Sequence, residues 1–260
     1  MRLAALLLAN LAGPAPAAPP PAQPVTIVAH RGLAEGLPEN TLAAFRQSID
    51  RGIKVIELDV RVTRDRQLVI LHDATLDRTT DCSGPLSSFT LVRLKACDAG
   101  WPTHQGERVP TLAEAIALVE HGPARLLLDI KPATPLDAVL AEVRELHAER
   151  KVILGLRSAS EISQARTALP GVMILGFMPK VDDAPAFAKA GVDIIRLWSD
   201  WVGADPALVA RTQRLGTDAW VMIGRRLPAN AAEWSALHSR MLATYPQGLI
   251  TNRPDLIVAR

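Results

Sequence analysis

Residues 30–73 read HRGLAEGLPENTLAAFRQSIDRGIKVIELDVRVTRDRQLVILHD, and this stretch decides the fold. A short apolar run ends in His30-Arg31, a helical stretch follows over 41–51, a second apolar run carries Glu57 and Asp59, and a tight return ends in His72-Asp73. Successive strand side chains point to opposite faces, so Glu57 and Asp59 share one face while Leu58 and Val60 share the packing face. Residues 63–66, the link between the second run and the run at 67–71, are too few for a parallel crossover. The run at 67–71 is therefore predicted to be the returning arm of a hairpin that sets His72 beside Glu57 and Asp59.

Outward from this stretch the chain alternates. Short aliphatic runs stand at 25–29, 54–60, 67–71, 125–130, 152–156, 172–176, 193–197, 219–223 and 248–251. Most are separated by amphipathic stretches, at 41–51, 111–120, 135–150, 184–190, 206–215 and 231–243, with Thr41, Thr111 and Asp205 placed near their starts as caps. Strand then helix, repeated, predicts a parallel α/β sheet. With the hairpin arm set aside, eight units remain, and their natural closure is a (β/α)8 TIM barrel. Residues 25–260 are then one domain, with a small insertion at 74–110 after the strand-hairpin unit. Catalytic groups of such barrels sit at the C-terminal ends of strands, where His30, Glu57, Asp59, His72 and Asp129 all fall. Lys131, two beyond Asp129, can point the same way.

The residue types fit phosphate-ester chemistry. Glu57 and Asp59 can share one hard cation, and oxygen ligands favour Mg²⁺ or Ca²⁺. His30 and His72, with ordinary pKa values near about 6.5, can divide the work of taking and giving a proton. Arg31 and Lys131 suit an anionic phosphoryl group, Arg31 by bidentate contact. No P-loop, dinucleotide fingerprint, Gly-x-Ser-x-Gly elbow or zinc-type Cys/His spacing is present. Glu39, ahead of the helix at 41–51, fits helix capping or a supporting contact in the site equally well. Trp198 and Trp220 fit contact with the alcohol part of a substrate or ordinary barrel packing. His121, His147 and His238 read as surface helix residues, and His104 as a loop residue.

The pattern resembles the glycerophosphodiester phosphodiesterase family, among the phospholipase C-like phosphodiesterase barrels. The resemblance rests on His30-Arg31-Gly32, Pro38 to Thr41, Glu57-Leu58-Asp59, Thr63-Arg64-Asp65 and His72-Asp73 in order, and extends through Leu128 to Lys131 and Gly248 to Pro254. It implies the same barrel. It also implies one divalent ion on Glu57, Asp59 and Asp129, and hydrolysis of glycerophosphodiesters such as glycerophosphocholine or glycerophosphoethanolamine to sn-glycerol 3-phosphate by His30 and His72. The family has Glu where Asp129 stands, and Asp is shorter by about 1.5 Å, so the ion would sit nearer this strand or be reached through water. Two other readings are a lysophospholipase D, for which the 74–110 insertion is the place to seek an apolar groove, and a phosphate-ester binding protein without turnover.

At 260 residues, 48% hydrophobic and with net charge +2, the chain can bury a full core and offers no electrostatic case for nucleic acid or an anionic membrane. The expected partner is a small phosphodiester. Residues 1–24 carry one basic residue, an apolar run at 3–12 and small residues around Ala15-Pro16-Ala17, as in a cleaved secretory signal with a Pro-rich leader. The run is too short to span a bilayer. An exported, periplasmic or secreted protein is the expectation, and Cys82 and Cys97, the two cysteines present, are a candidate disulfide in that setting.

Overall fold

The structure, a computed structural model, describes residues 24–32, 36–224 and 226–258; the candidate leader lies outside these residues apart from Pro24. The chain enters through β1 (Thr26–His30), α1 (Leu42–Asp50), β2 (Val55–Val62) and β3 (Leu68–Ile70). The insertion then contributes α2 (Leu91–Leu94). Regular alternation follows: α3 (Leu112–Val119), β4 (Arg125–Ile130), α4 (Leu136–Glu145), β5 (Val152–Leu156), α5 (Ala159–Ala168), β6 (Met173–Gly176) and α6 (Ala184–Lys189). The chain ends on β7 (Ile194–Trp198), α7 (Ser199–Ala204), α8 (Leu208–Gln213), β8 (Asp218–Met222), α9 (Ala231–Leu242) and β9 (Gly248–Thr251).

Eight of these strands pair in parallel in the order β1-β9-β8-β7-β6-β5-β4-β2, and β1 pairs back onto β2 to close the barrel. β3 runs antiparallel to β2, with Val60 opposite Ile70, and so is the returning hairpin arm. Side-chain alternation then divides the core in two. Ile56, Leu58, Val60, Leu126 and Leu128 pack outward against the helices. Val28, Val55, Leu127, Ile153, Leu175, Ile194, Trp220 and Ile250 fill the barrel interior beneath the C-terminal mouth. Trp220 packs there over Gly248, in the interior rather than on the wall of the cavity above.

Helix starts follow local chemistry. Thr41 accepts from the Ala44 N–H, and Thr111 with Glu114 forms a reciprocal capping box. The helix expected over 135–150 ends at Glu145, because His147 adopts φ 50° and turns the chain back. The helix expected over 206–215 occupies Leu208–Gln213, and Asp205 instead accepts from the Ala207 N–H one turn ahead. The helix α5 is absent from the periodicity because its buried stripe is only Ile162 and Ala165.

The insertion has its own apolar cluster. Leu76, Leu86, Phe89, Leu94, Cys97, Ala99 and Val109 pack on Val69 and Leu71 at the hairpin, and Cys82 is bridged to Cys97 with 5.6 Å between their Cα atoms. Among the described residues no helix is long and apolar enough to cross a membrane.

Candidate active site

Barrel closure sets the strand ends side by side. His30 on β1 is level with Glu57 on β2, and Asp59 on β2 is level with Asp129 on β4. All three carboxylates are buried, and each offers an oxygen within 4.8 Å of the others. Three like charges in a dry site require compensation. Lys131 supplies part of it, with Nζ 2.6 Å from both Asp59 Oδ1 and Asp129 Oδ2. Arg31 Nε lies 3.3 Å from Asp59 Oδ2. Burial alone would raise Asp59, but Lys131 and Arg31 outweigh it and hold the group low. Glu57 goes the other way: burial, then Asp59 and Asp129, push it well above the usual carboxylate range. Its Oε2 accepts the Arg31 backbone N–H at 2.9 Å, while its Oε1 is buried without a hydrogen-bond partner. An orphaned buried oxygen facing two further carboxylates fits a hard divalent cation.

The turn after β1 is shaped for this purpose. Arg31, Gly32 and Asn40 all take positive φ, at 57°, 66° and 59°. A Cβ on Gly32 would strike the ring of Phe45, so both the backbone and the packing there call for glycine. The left-handed turn lets Asn40 Nδ2 donate to Asp59 Oδ2 at 2.7 Å, so Asn40 steadies the carboxylate while Thr41 next to it caps the helix. Such backbone outliers gather where a site demands them.

The two histidines differ. His30 is buried, its Nδ1–H donates to Asn252 Oδ1, and its Nε2 stands 3.8 Å from Glu57 Oε2. Burial, and then Arg31, lower its pKa to about 4, so at neutral pH it carries a lone pair on Nε2. His72 is partly exposed, and its Nδ1–H donates to Asp73 Oδ1 at 2.6 Å. Arg78 in turn bonds Asp73 Oδ2 and both oxygens of Glu39, and Glu39 Oε1 accepts from Arg31 Nη1 at 3.0 Å. The Arg78 bond, with a smaller part from His72, holds Asp73 down at about 2. A chain of charge-assisted bonds thus links Arg31 to the Asp73 that orients His72. Glu39 belongs to that chain and not to the helix cap. Arg61 closes the hairpin by donating Nε and Nη2 to the His72 carbonyl, at 2.9 and 2.7 Å.

A cavity of about 590 Å³ opens over these groups, walled by His30, Arg31, His72, Asp129 and Lys131 on one side. The other side is Arg157, Phe177, Met178, Pro179, Arg196, Trp198, Met222 and Gly224. The candidate residues His30, Arg31, His72, Asp129, Lys131 and Trp198 are therefore brought together, with Glu57 and Asp59 buried among them; Trp220 is not on this wall. None of the wall residues comes from the 74–110 insertion, the place where a lysolipid preference would need an apolar groove. A larger groove, about 1060 Å³, lies on the outer face between α7 and α9, away from the imidazoles and carboxylates.

Sequence reasoning passes over several residues here. Arg157 Nη2 donates to Asp129 Oδ1, and its Nη1 donates to the Ile130 carbonyl at 2.5 Å. Arg196 and Phe177 complete the far wall, and Arg78 and Asn252 orient the two histidines. Arg196 had a visible signal, a charge at an inward position of the apolar strand IIRLW between Ile194 and Trp198. Arg157, one residue past β5, had none.

The chain matches the Glycerophosphoryl diester phosphodiesterase family over residues 30–256. It is 34% identical over 156 residues to a glycerophosphodiester phosphodiesterase of Caldanaerobacter subterraneus subsp. tengcongensis, a match covering 57% of this chain and 64% of that one. This chain spans 44% and 64% of the length of two curated relatives it matches, less than two thirds of each. The crystal structure of glycerophosphodiester phosphodiesterase from Agrobacterium tumefaciens superposes with a TM-score of 0.74 at 28% identity, covering 91% of this chain and 100% of that one. An Oleispira antarctica phosphodiesterase, solved in complex with the product sn-glycerol-3-phosphate, shares the fold at a TM-score of 0.76 and 22% identity, over 90% of this chain and 97% of its own.

Proposed function

The chain belongs to the Glycerophosphoryl diester phosphodiesterase family, and from that premise we propose that it hydrolyses glycerophosphodiesters to sn-glycerol 3-phosphate and a free alcohol. One observation carries the reading: a neutral, buried His30 and a carboxylate-oriented His72 line the same cavity as Arg31 and Lys131, beside a three-carboxylate cluster with an unpartnered Glu57 oxygen. Binding alone needs no such pair of proton-transfer groups. The product held by the Oleispira antarctica protein of the same fold is consistent with it.

His30 is the general base. With Asn252 on Nδ1, its Nε2 takes the proton of the glycerol 2-hydroxyl as that oxygen attacks phosphorus. His72 is the general acid; Asp73 fixes its ring and balances its charge while Nε2 gives a proton to the departing alcohol oxygen as the P–O bond breaks. Water then opens the cyclic phosphate with the two roles exchanged, so one water is consumed for each diester cleaved. Arg31 and Lys131 offset the phosphoryl charge. Glu57, Asp59 and Asp129 would hold one divalent cation, Mg²⁺ or Ca²⁺, which when bound supplies Lewis-acid polarisation of the phosphoryl group. An exported setting is part of the proposal, supported by the Cys82–Cys97 bridge, since such bridges persist in oxidising compartments.

The test is hydrolysis of glycerophosphocholine and a lysophosphatidylcholine by the purified chain, first with EDTA and then with Mg²⁺ or Ca²⁺ restored. Release of sn-glycerol 3-phosphate from the water-soluble diester, abolished by chelator and restored by one ion, is the expected result. Cleavage of the lysolipid alone would replace this reading with a lysophospholipase D. Silence on both by folded protein would refute turnover of these choline diesters and move the reading to a different diester or to a phosphate-ester binding protein.

A further inference from the structure

The insertion at 74–110 contributes no residue to the cavity wall, yet it delivers one side chain to the carboxylate that orients His72. It does so from a closed loop. Leu76 is fully buried; its N–H donates to the Gly84 carbonyl at 3.0 Å, and its own carbonyl accepts the Thr80 N–H at 3.1 Å and the Thr80 hydroxyl at 2.9 Å. Asp77 accepts the Gly84 N–H at 3.3 Å, and Thr80 Oγ1 accepts the Cys82 N–H at 3.0 Å. Cys82 is bridged to Cys97, which is buried in the apolar cluster of the insertion. Arg78 stands between Leu76 and Thr80, the two buried anchors of this loop, so its backbone is held independently of what its side chain touches.

The Arg78 side chain then joins two separate parts of the site. Its Nε donates to Asp73 Oδ2 at 2.5 Å, beside the hairpin, while Nη1 and Nη2 donate to Glu39 Oε2 and Oε1 at 2.9 and 2.7 Å, ahead of α1. The paired bonds to Glu39 set the plane of the guanidinium, and the third bond then sets one oxygen of Asp73. The other oxygen of Asp73 accepts the Nδ1–H of His72 at 2.6 Å. A carboxylate able to turn would hold that ring in no single direction, whereas one pinned through both oxygens aims the opposite ring nitrogen, Nε2. The Arg78 side chain is 47% exposed, and ion pairs so open to water add little to stability. What the arrangement supplies is aim.

Resting on the hydrolase reading above, we propose that Arg78 is a positioning residue for the general acid, and that the bridged insertion serves the reaction by holding Arg78 in place. Arg78 is not on the cavity wall and acts through Asp73 on His72. The step it governs is the departure of the alcohol: the bond from phosphorus to the alcohol oxygen breaks, and the proton on His72 Nε2 passes to that oxygen. Attack by the glycerol 2-hydroxyl, with its proton going to His30, does not depend on it.

The experiment measures alcohol release in a single turnover, with the full chain in excess and Mg²⁺ or Ca²⁺ present, from glycerophosphocholine and from the glycerophosphodiester of p-nitrophenol. Choline needs a proton to leave and p-nitrophenolate does not. Arg78→Met should slow choline release by about 10–10²-fold, part of the 10²–10⁴ that a well-aimed acid supplies, and p-nitrophenolate release by less than about threefold. Arg78→Lys, which keeps the charge but not the fork of donors, should recover part of the loss. Cys82→Ser with Cys97→Ser should show the same split between the two esters, at smaller size. Equal slowing of both esters in Arg78→Met would overturn the assignment and place the effect on Arg31, through Glu39. Unchanged rates on both would remove Arg78 from the reaction. Wild-type rates on both esters in the cysteine variant would overturn the part given to the insertion. If Arg78→Met does not fold, Arg78→Lys and the cysteine variant decide by the same comparison. Release of neither alcohol by the wild type would instead refute the hydrolase reading on which this one rests.

Discussion

At the scale of single residues, the two imidazoles carry assignments that one pair of variants separates. Replacing either His30 or His72 by Ala should cost on the order of 10²–10⁴ in kcat on a natural diester. With a glycerophosphodiester of p-nitrophenol, whose leaving oxygen needs no proton, His72→Ala should recover most of its rate and His30→Ala should not. The reverse pattern would exchange their roles. Glu57 makes a second prediction. Because burial and two neighbouring carboxylates push its pKa up and so disfavour its charge without a cation, Glu57→Gln should melt no lower than wild type in EDTA. Ligand binding to the native state stabilises by mass action, so Mg²⁺ or Ca²⁺ should raise the wild-type Tm and leave that of Glu57→Gln in place. An equal rise in the variant would remove Glu57 from the cation site. His30, Arg31, Glu57, Asp59, His72 and Asp129 were legible because they close apolar runs, where barrel geometry puts chemistry. Arg157, Arg78 and Asn252 were not, because what places them is closure in space between segments distant in the chain.

At the scale of elements, the residues that leave β1 and enter α1 are tightly constrained at Gly32 and Asn40. Gly32→Ala forces a Cβ into Phe45 at φ 66°, and should cost about 1–3 kcal/mol in urea unfolding. Loss of activity should exceed that of stability, because the same turn aims Arg31 and Asn40. The insertion is the other separable piece. Its bridge closes 15 residues of chain, worth about 3 kcal/mol in the loop-entropy view, so Cys82→Ser with Cys97→Ser should loosen the cluster around Leu76, Leu94 and Val109. Hydrogen exchange should rise there first and reach Asp73 and Arg78 next, while β4 to β9 stay protected. Uniform loss of protection across the barrel would show that the insertion is not a separable unit. The hairpin was readable from the short link alone, although its returning arm, expected over 67–71, occupies Leu68–Ile70. The seating of the insertion was not, since its apolar residues are spread through a segment with little regular structure and follow neither strand nor helix period.

At the scale of the whole molecule, the last helix and last strand are tied by a residue that periodicity misread. His238 was expected on a helix surface, yet it is buried on α9 with Nε2 2.9 Å from Thr251 Oγ1 on β9, and Trp234 lies 5.5 Å away, ring to ring. The charged residues either side of it, Glu233 and Arg240, made the helix look solvated there, whereas closure of the barrel turns that face inward. Burial lowers the His238 pKa from 6.5 to about 4, with Asp255 opposing and Arg253 adding a little. The unfolded chain therefore binds a proton through this window that the folded chain refuses. The stability linked to His238 is complete above about pH 6.5 and falls as pH drops toward 4, by up to about 1.4 kcal/mol per pH unit. His30 adds a contribution of the same sign, and Glu57, whose pKa is raised, runs against both above its ordinary pKa. The difference between two proteins isolates one residue. Urea unfolding of the wild type and of His238→Gln, measured in EDTA from pH 7 to pH 4, should show the variant with the flatter fall on the acid side, by about one proton's slope, since Gln keeps a polar group near Thr251 without titrating. Parallel curves would mean that His238 takes up its proton inside the fold, and that the tie between α9 and β9 survives its charging.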